Sequence, residues 1–102
     1  MFRGILSTIY IDLKKGISIK KLENTLNSEY SKSRFVKILK LDSLVSTNSV
    51  INTNNCSIAI CKTKYKNRVI ILSAIDNLIK GGAGQAIQNM NIKFNFPVNK
   101  GL

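Results

Sequence analysis

Histidine is absent from this 102-residue chain, acidic residues number five against sixteen Lys and Arg, Cys occurs twice and Pro once. With no histidine and only Cys56 and Cys61, the roughly four ligands of a zinc site cannot be filled. If "CSIAIC" is a strand, the spacing of Cys56 and Cys61 sends the two thiols to opposite faces, so they cannot bridge without breaking the pleat. Both are expected to be small buried hydrophobes, with nothing to imply an oxidising compartment. No apolar run approaches the roughly 18 residues of a membrane-spanning helix, because "GILSTIYIDL" and "RVIILSAI" are broken by polar residues. The opening "MFRGIL" lacks the apolar core and cleavage site of a secretory signal, and a soluble, cytoplasmic protein is expected. No internal repeat or low-complexity tract is present, and no G-x-G-x-x-G dinucleotide fingerprint.

The shortage of acid leaves a net charge of +11. The excess is almost wholly Lys, which accompanies abundant Asn and Ile; all three share A·T-rich codons, so the charge alone is a weak pointer to nucleic acid. The length fits one domain over residues 1–102, and 44% hydrophobic residues suffice for a core.

The residues order themselves into strand, helix, strand, loop, strand, strand, helix. "ILSTIYIDL" alternates with β-branched residues and reads as a strand partly buried on both faces. Ser18 is placed as an N-cap, followed by Ile19, Leu22, Leu26 and Tyr30 at helical spacing, which predicts a helix through about Lys32. "RFVKILKL" has strand composition, and Asp42 to Asn55 reads as a long connection with one short extended piece at Ser49 to Ile51. "CSIAICKT" and "RVIILSAI" pair as a hairpin through "KYKN", the second apolar on both faces as a central strand would be. A final helix over about 81–94 carries an apolar stripe of Ala83, Ala86, Ile87, Met90 and Phe94, and Pro97 closes it. The class is α+β, a mixed and mainly antiparallel sheet with helices on one face.

Two features could carry chemistry. Lys62, Lys64, Lys66 and Arg68 alternate around Tyr65, so an extended segment would present four cations on one side; this suits a phosphate backbone with Tyr65 stacking on a base, or a solvated hairpin tip whose charge discourages edge pairing. Gly81, Gly82 and Gly84 precede an amide-rich helix. They suit a helix start that a ligand must approach closely, and equally a strand-to-helix turn that requires glycine.

"SAIDNLIKGGAGQAIQNMN" with "FNFPVNKGL" resembles the C-terminal signature of the N-acetyl-gamma-glutamyl-phosphate reductases, and more distantly the aspartate-semialdehyde dehydrogenases, which share the "DNL-x-K-G-A" opening. "RGILSTIYI" resembles that family's first strand after its histidine region, and "NTNNCSIAI" its Asn-x-Cys strand. The likeness covers essentially the whole chain and is weakest from Asp42 to Ile51.

The resemblance implies a fold like the C-terminal domain of the glyceraldehyde-3-phosphate dehydrogenase superfamily, without the Rossmann domain. It implies an NADPH-dependent reduction of N-acetylglutamyl phosphate in arginine biosynthesis, in which a thiolate attacks the acyl phosphate and a histidine shuttles protons. Both groups lie upstream of "RGIL" in the family, and Cys56 aligns with a structural position. No catalytic residue is therefore assigned, and catalysis by this polypeptide alone is expected to be absent, as for a fragment, a split-gene subunit or a decayed copy. Asn77, Gly81, Gly82 and Gly84 are implied to face NADP, weakly in this chain alone. Arg3 is implied to contact the substrate's phosphate or carboxylate, and Lys80 to hold a phosphate or to be solvated. The expected partners are a nucleotide-binding domain in cis or in trans, on which helix 81–94 packs, and further copies of the chain. Ile51 and Asn52 stand where the family often has Arg-Gly, which puts substrate binding through that loop in doubt. A small basic nucleic-acid-binding module is the alternative function.

Overall fold

The computed structural model describes residues 2–102. A four-stranded sheet has the order β1-β4-β3-β2, with β1 at Ile5–Asp12, β2 at Val36–Ile38, β3 at Cys56–Lys62 and β4 at Arg68–Ile75. β4 pairs antiparallel with both β1 and β3, while β2 runs parallel to β3. The sheet is thus mixed and mainly antiparallel. With helices α1 (Ile19–Glu29) and α2 (Gly84–Lys93) it makes the expected α+β class.

β4 takes the centre because Val69, Ile71 and Ile75 serve one face while Ile70, Leu72 and Ala74 serve the other, so neither has to meet water. The core gathers Phe35, Val50, Ala59, Ile60, Val69 and Ala74. Ser18, in extended backbone, caps α1 by accepting from the Lys21 N–H at 3.0 Å, which satisfies one orphan donor of the first turn.

Several expectations need correction. β1 is not partly buried on both faces: Ile5, Leu6 and Ile9 are each nearly half exposed and Tyr10 is 70% exposed. As an edge strand it has β4 on one side only. The helix α1 stops at Glu29, with Tyr30 at its C-cap, short of Lys32. The second strand shrinks to three residues, and the chain turns further on at Asp42, whose φ is 61°. The Ser49 to Ile51 segment is not extended. Ser46 caps a 3-10 turn at Thr47–Ser49 through its hydroxyl and the Asn48 N–H.

The last helix departs most. It begins at Gly84, not Gly81, after a wider turn over Ile79–Ala83 in which the Gly81 N–H donates to the Asp76 carbonyl at 3.0 Å and the Ala83 N–H to the Leu78 carbonyl at 3.1 Å. Its apolar stripe faces away from the chain's own core: Met90 and Phe94 are 47% and 59% exposed, Ala83 and Ala86 are exposed, Ile87 is half-buried, and the buried positions are Gly84 and Asn91. Cys56 and Cys61 are free and half-buried rather than buried, on opposite faces as their spacing required.

Candidate cofactor-facing site after the central strand

The site is built where β4 ends. Ile75 pairs with Ile5 on one side and Cys56 on the other, so the next residues emerge between three segments of chain. Asp76 is fully buried there. Its Oδ2 accepts from Arg3 Nε at 3.1 Å, Arg3 Nη2 at 2.7 Å and the Asn52 N–H at 2.8 Å. Its Oδ1 accepts from the N–H groups of Leu78 at 2.9 Å and Ile79 at 3.3 Å. One carboxylate therefore ties the segment before β1, the loop before β3 and the turn before α2. Burial pushes this carboxyl up, but the Asn52 and Leu78 N–H groups, the Arg3 guanidinium and the Ile79 N–H outweigh it and hold the pKa down at about 2.

Asn77 follows, half-buried. Its Oδ1 accepts from the Gly4 N–H at 2.8 Å, and among the described residues its Nδ2 has no partner. Gly4 has a φ of 121°, and a Cβ there would lie 2.8 Å from the Thr47 side chain and 3.1 Å from the Ile75 carbonyl. Glycine is required at that position by conformation and by space.

The three glycines ahead of α2 divide. Gly81 and Gly82 are exposed, and a Cβ on Gly82 would meet only the Asn77 carbonyl, at 3.5 Å. Gly84 is buried, and a Cβ there would collide with Asn54 Oδ1 and with Ile79. Its lack of a side chain is explained by packing inside the chain.

Arg3 and Lys80 also have internal partners. Arg3 binds Asp76 and donates from Nη2 to Asn52 Oδ1 at 2.6 Å. Lys80 is neither solvated nor free for a phosphate: it donates to Gln88 Oε1 at 2.7 Å and lies 5.5 Å above the Phe35 ring. Burial lowers its pKa, against the opposing pull of nearby Cys56. Gln88 Oε1 accepts from Asn54 Nδ2 as well, at 2.9 Å.

The segment between β3 and β4 bends and turns over residues 64–67, so its cations do not form the row that an extended segment would present. Lys62 pairs with Asp42 at 3.6 Å, and Arg68 makes a two-pronged contact with Asp12 at 2.6 and 3.1 Å; Lys64 and Arg68 both lie over the Tyr65 ring. A cleft of about 810 Å³ bordered by Lys14, Lys20 and Lys66 lies at this end of the sheet, away from Asn77. Among the described residues no cluster of metal-ligating side chains occurs, and no helix is long and apolar enough to cross a membrane.

Sequence reasoning missed Asp76, Gly4, Asn52 and Asn54. Asp76 had a readable signal: an aspartate directly after an apolar strand and two residues before a helical turn is placed to accept from the N–H groups ahead of it.

The sequence that builds this sheet and ends at Asn77 matches a known domain type. The family model described as "Semialdehyde dehydrogenase, dimerisation domain" matches residues 1–77, and the chain belongs to that family. Over 102 residues it is 47% identical to the N-acetyl-gamma-glutamyl-phosphate reductase of Halothermothrix orenii, covering 100% of this chain and 29% of that protein. It is 47% identical to the enzyme of the same name from Clostridium botulinum (98% of this chain, 29% of the relative) and 48% identical to that of Pelobacter propionicus (100% and 30%). The chain thus spans under a third of the length of these curated relatives.

Proposed function

We propose that the chain serves as the dimerising, substrate-side portion of a cytoplasmic, NADP-dependent N-acetyl-gamma-glutamyl-phosphate reductase of arginine biosynthesis, working with a nucleotide-binding domain supplied in cis or in trans. The observation that carries this reading is identity of 43–48% to reductases of that name across the full chain or nearly so. Two structural features support it. The family model ends at Asn77, and α2, beyond that boundary, turns Met90 and Phe94 outward, as a helix that packs on another domain would. The residues after β4 also fit one wall of a nicotinamide site, with an unpartnered amide nitrogen on Asn77 beside bare, exposed main chain at Gly81 and Gly82.

When bound, the nicotinamide supplies the hydride that reduces the acyl group. The chain's own part is to orient that ring from Asn77 and to let it close against Gly81 and Gly82. Gly84 and Lys80 stay with packing in this reading, and Arg3 acts through Asp76 in place of gripping N-acetylglutamyl phosphate. No observation favours the nucleic-acid alternative, since Lys62 and Arg68 are held by carboxylates.

The test is co-expression with the portion of the Halothermothrix orenii reductase that lies outside the matched stretch, followed by assay of NADP-linked turnover. Activity should be restored. Asn77→Ala should lower it by about tenfold, the worth of one oriented hydrogen bond. A complex that assembles yet turns over no NADP sinks the proposal.

A further inference from the structure

Asn77 carries an amide that could in principle both donate and accept. The structure removes that choice. A backbone N–H can only donate, and the Gly4 N–H, 2.8 Å away, must face the amide oxygen. The amide nitrogen is left to point elsewhere.

The Gly4 N–H is itself held in place. Arg3, its immediate neighbour, is anchored by Nε and Nη2 to Asp76, the residue preceding Asn77. The same guanidinium reaches Asn52, whose N–H also bonds Asp76. Two adjacent residues of one segment are thereby paired with two adjacent residues of the other: Arg3 with Asp76, and Gly4 with Asn77.

We infer that Arg3 and Asp76 are positioning residues that hold the Asn77 amide with its nitrogen turned away from Gly4, so the ligand atom which that nitrogen meets is an acceptor oxygen. Resting on the nicotinamide reading above, this selects the carbonyl end of the carboxamide and sets which way that group faces. It also gives the Arg3 side chain a task that direct substrate contact would not require.

Nicotinamide mononucleotide is the probe, titrated into the full chain while heteronuclear NMR follows the Gly4 N–H and the Asn77 side-chain NH₂. In the wild-type chain the Gly4 N–H should be protected from exchange, and the Asn77 NH₂ should shift with ligand. Arg3→Ala and Asp76→Asn should each cut Gly4 protection by roughly tenfold and weaken the probe by about the same factor, and Arg3→Lys should recover part of both. Ile60→Val, a truncation in the buried sheet, is the control for general loss of stability and should leave both signals in place. The inference is overturned if Asp76→Asn leaves Gly4 and Asn77 as in the wild type, or if Ile60→Val moves them as far. If the clamp variants behave as expected while the wild-type Asn77 signal ignores the probe, the nicotinamide assignment fails and the ligand half of the inference goes with it.

Discussion

Replacing Gly84 by alanine tests whether the glycines ahead of α2 divide between packing and ligand approach. Gly84 has helical angles (φ −64°, ψ −40°), so alanine meets no backbone penalty and on propensity alone would gain about 1 kcal/mol. Its Cβ, however, would lie 2.6 Å from Ile79 Cγ2 and 2.8 Å from the Ile79 carbonyl oxygen, with Asn54 Oδ1 nearer still. The isoleucine side chain can rotate away. The carbonyl belongs to the turn whose Ile79 N–H bonds Asp76, and it moves only if that turn moves. Overpacking of this kind costs roughly 1–3 kcal/mol and occasionally more, and three heavy atoms closer than 3 Å put this site at the upper end, so the net loss is about 2 kcal/mol. For a domain of this size that lowers Tm by roughly 5–15 °C. Gly81→Ala is the control, because its Cβ would find Ile75 Cδ1 at 3.4 Å, an ordinary contact that leaves stability within about 0.5 kcal/mol. Urea unfolding followed by far-UV circular dichroism reads both variants. A Gly84→Ala chain as stable as the wild type, or a Gly81→Ala chain equally damaged, refutes the division.

Two further outcomes follow from the same structure. The Asp76 carboxyl is held at about 2 in the folded chain, below the ordinary value of about 4, so its contribution is complete above that ordinary value and is lost as pH falls from about 4 toward 2; urea midpoints should drop over that window, and an Asp76→Asn chain that drops just as steeply counts against the hub. The open edge of β1 lacks any charged residue between Ile5 and Ile11, so Ile9→Lys with Tyr10→Lys should shift sedimentation profiles toward monomer, and an unchanged profile removes β1 from the self-association surface.

Much of the sheet was legible because its signals are local. β-branched alternation marks β1, two-sided apolarity marks β4, and the hairpin needs no distant partner. The errors fall where a distant contact decides. The α1 cap was readable at Ser18, but nothing local announces that β1 lies at an edge, since edge and interior strands share one alternation. At the site, Asn77 and the exposed Gly81 and Gly82 were visible as residue types that suit close approach. The partner of Arg3 was not legible, because an arginine's partner is a matter of tertiary geometry and Asp76 lies 73 positions away in sequence. Gly84 was grouped with its neighbours for the same reason: what fills the space above it is Asn54, on the loop before β3.

The inverted polarity of α2 is the strongest physical ground for reading this chain as one face of a larger assembly. A helix packed on its own domain turns its apolar stripe inward and its amides to water. Here Asn91 is fully buried while Phe94 is 59% exposed. The inward amides have specific tasks, because Asn91 Nδ2 donates to the Val98 and Lys100 carbonyls at 3.1 and 2.9 Å and so secures the closing turn, while Gln88 gathers Asn54 and Lys80. They also carry a cost, since Asn91 Oδ1 and Asn54 Oδ1 are buried without a partner. A sequence that accepts buried amides on one side and leaves Ala83, Ala86, Met90 and Phe94 on the other is poorly suited to a helix with one surface to satisfy. It suits a helix with two, in which the amides tie it to the loop before β3 and to the closing turn and the apolar stripe is kept for a second body. Burying Met90 and Phe94 against a second body would bring the exposed turn at Gly81 and Gly82 close to that interface, because the turn leads directly into the same helix.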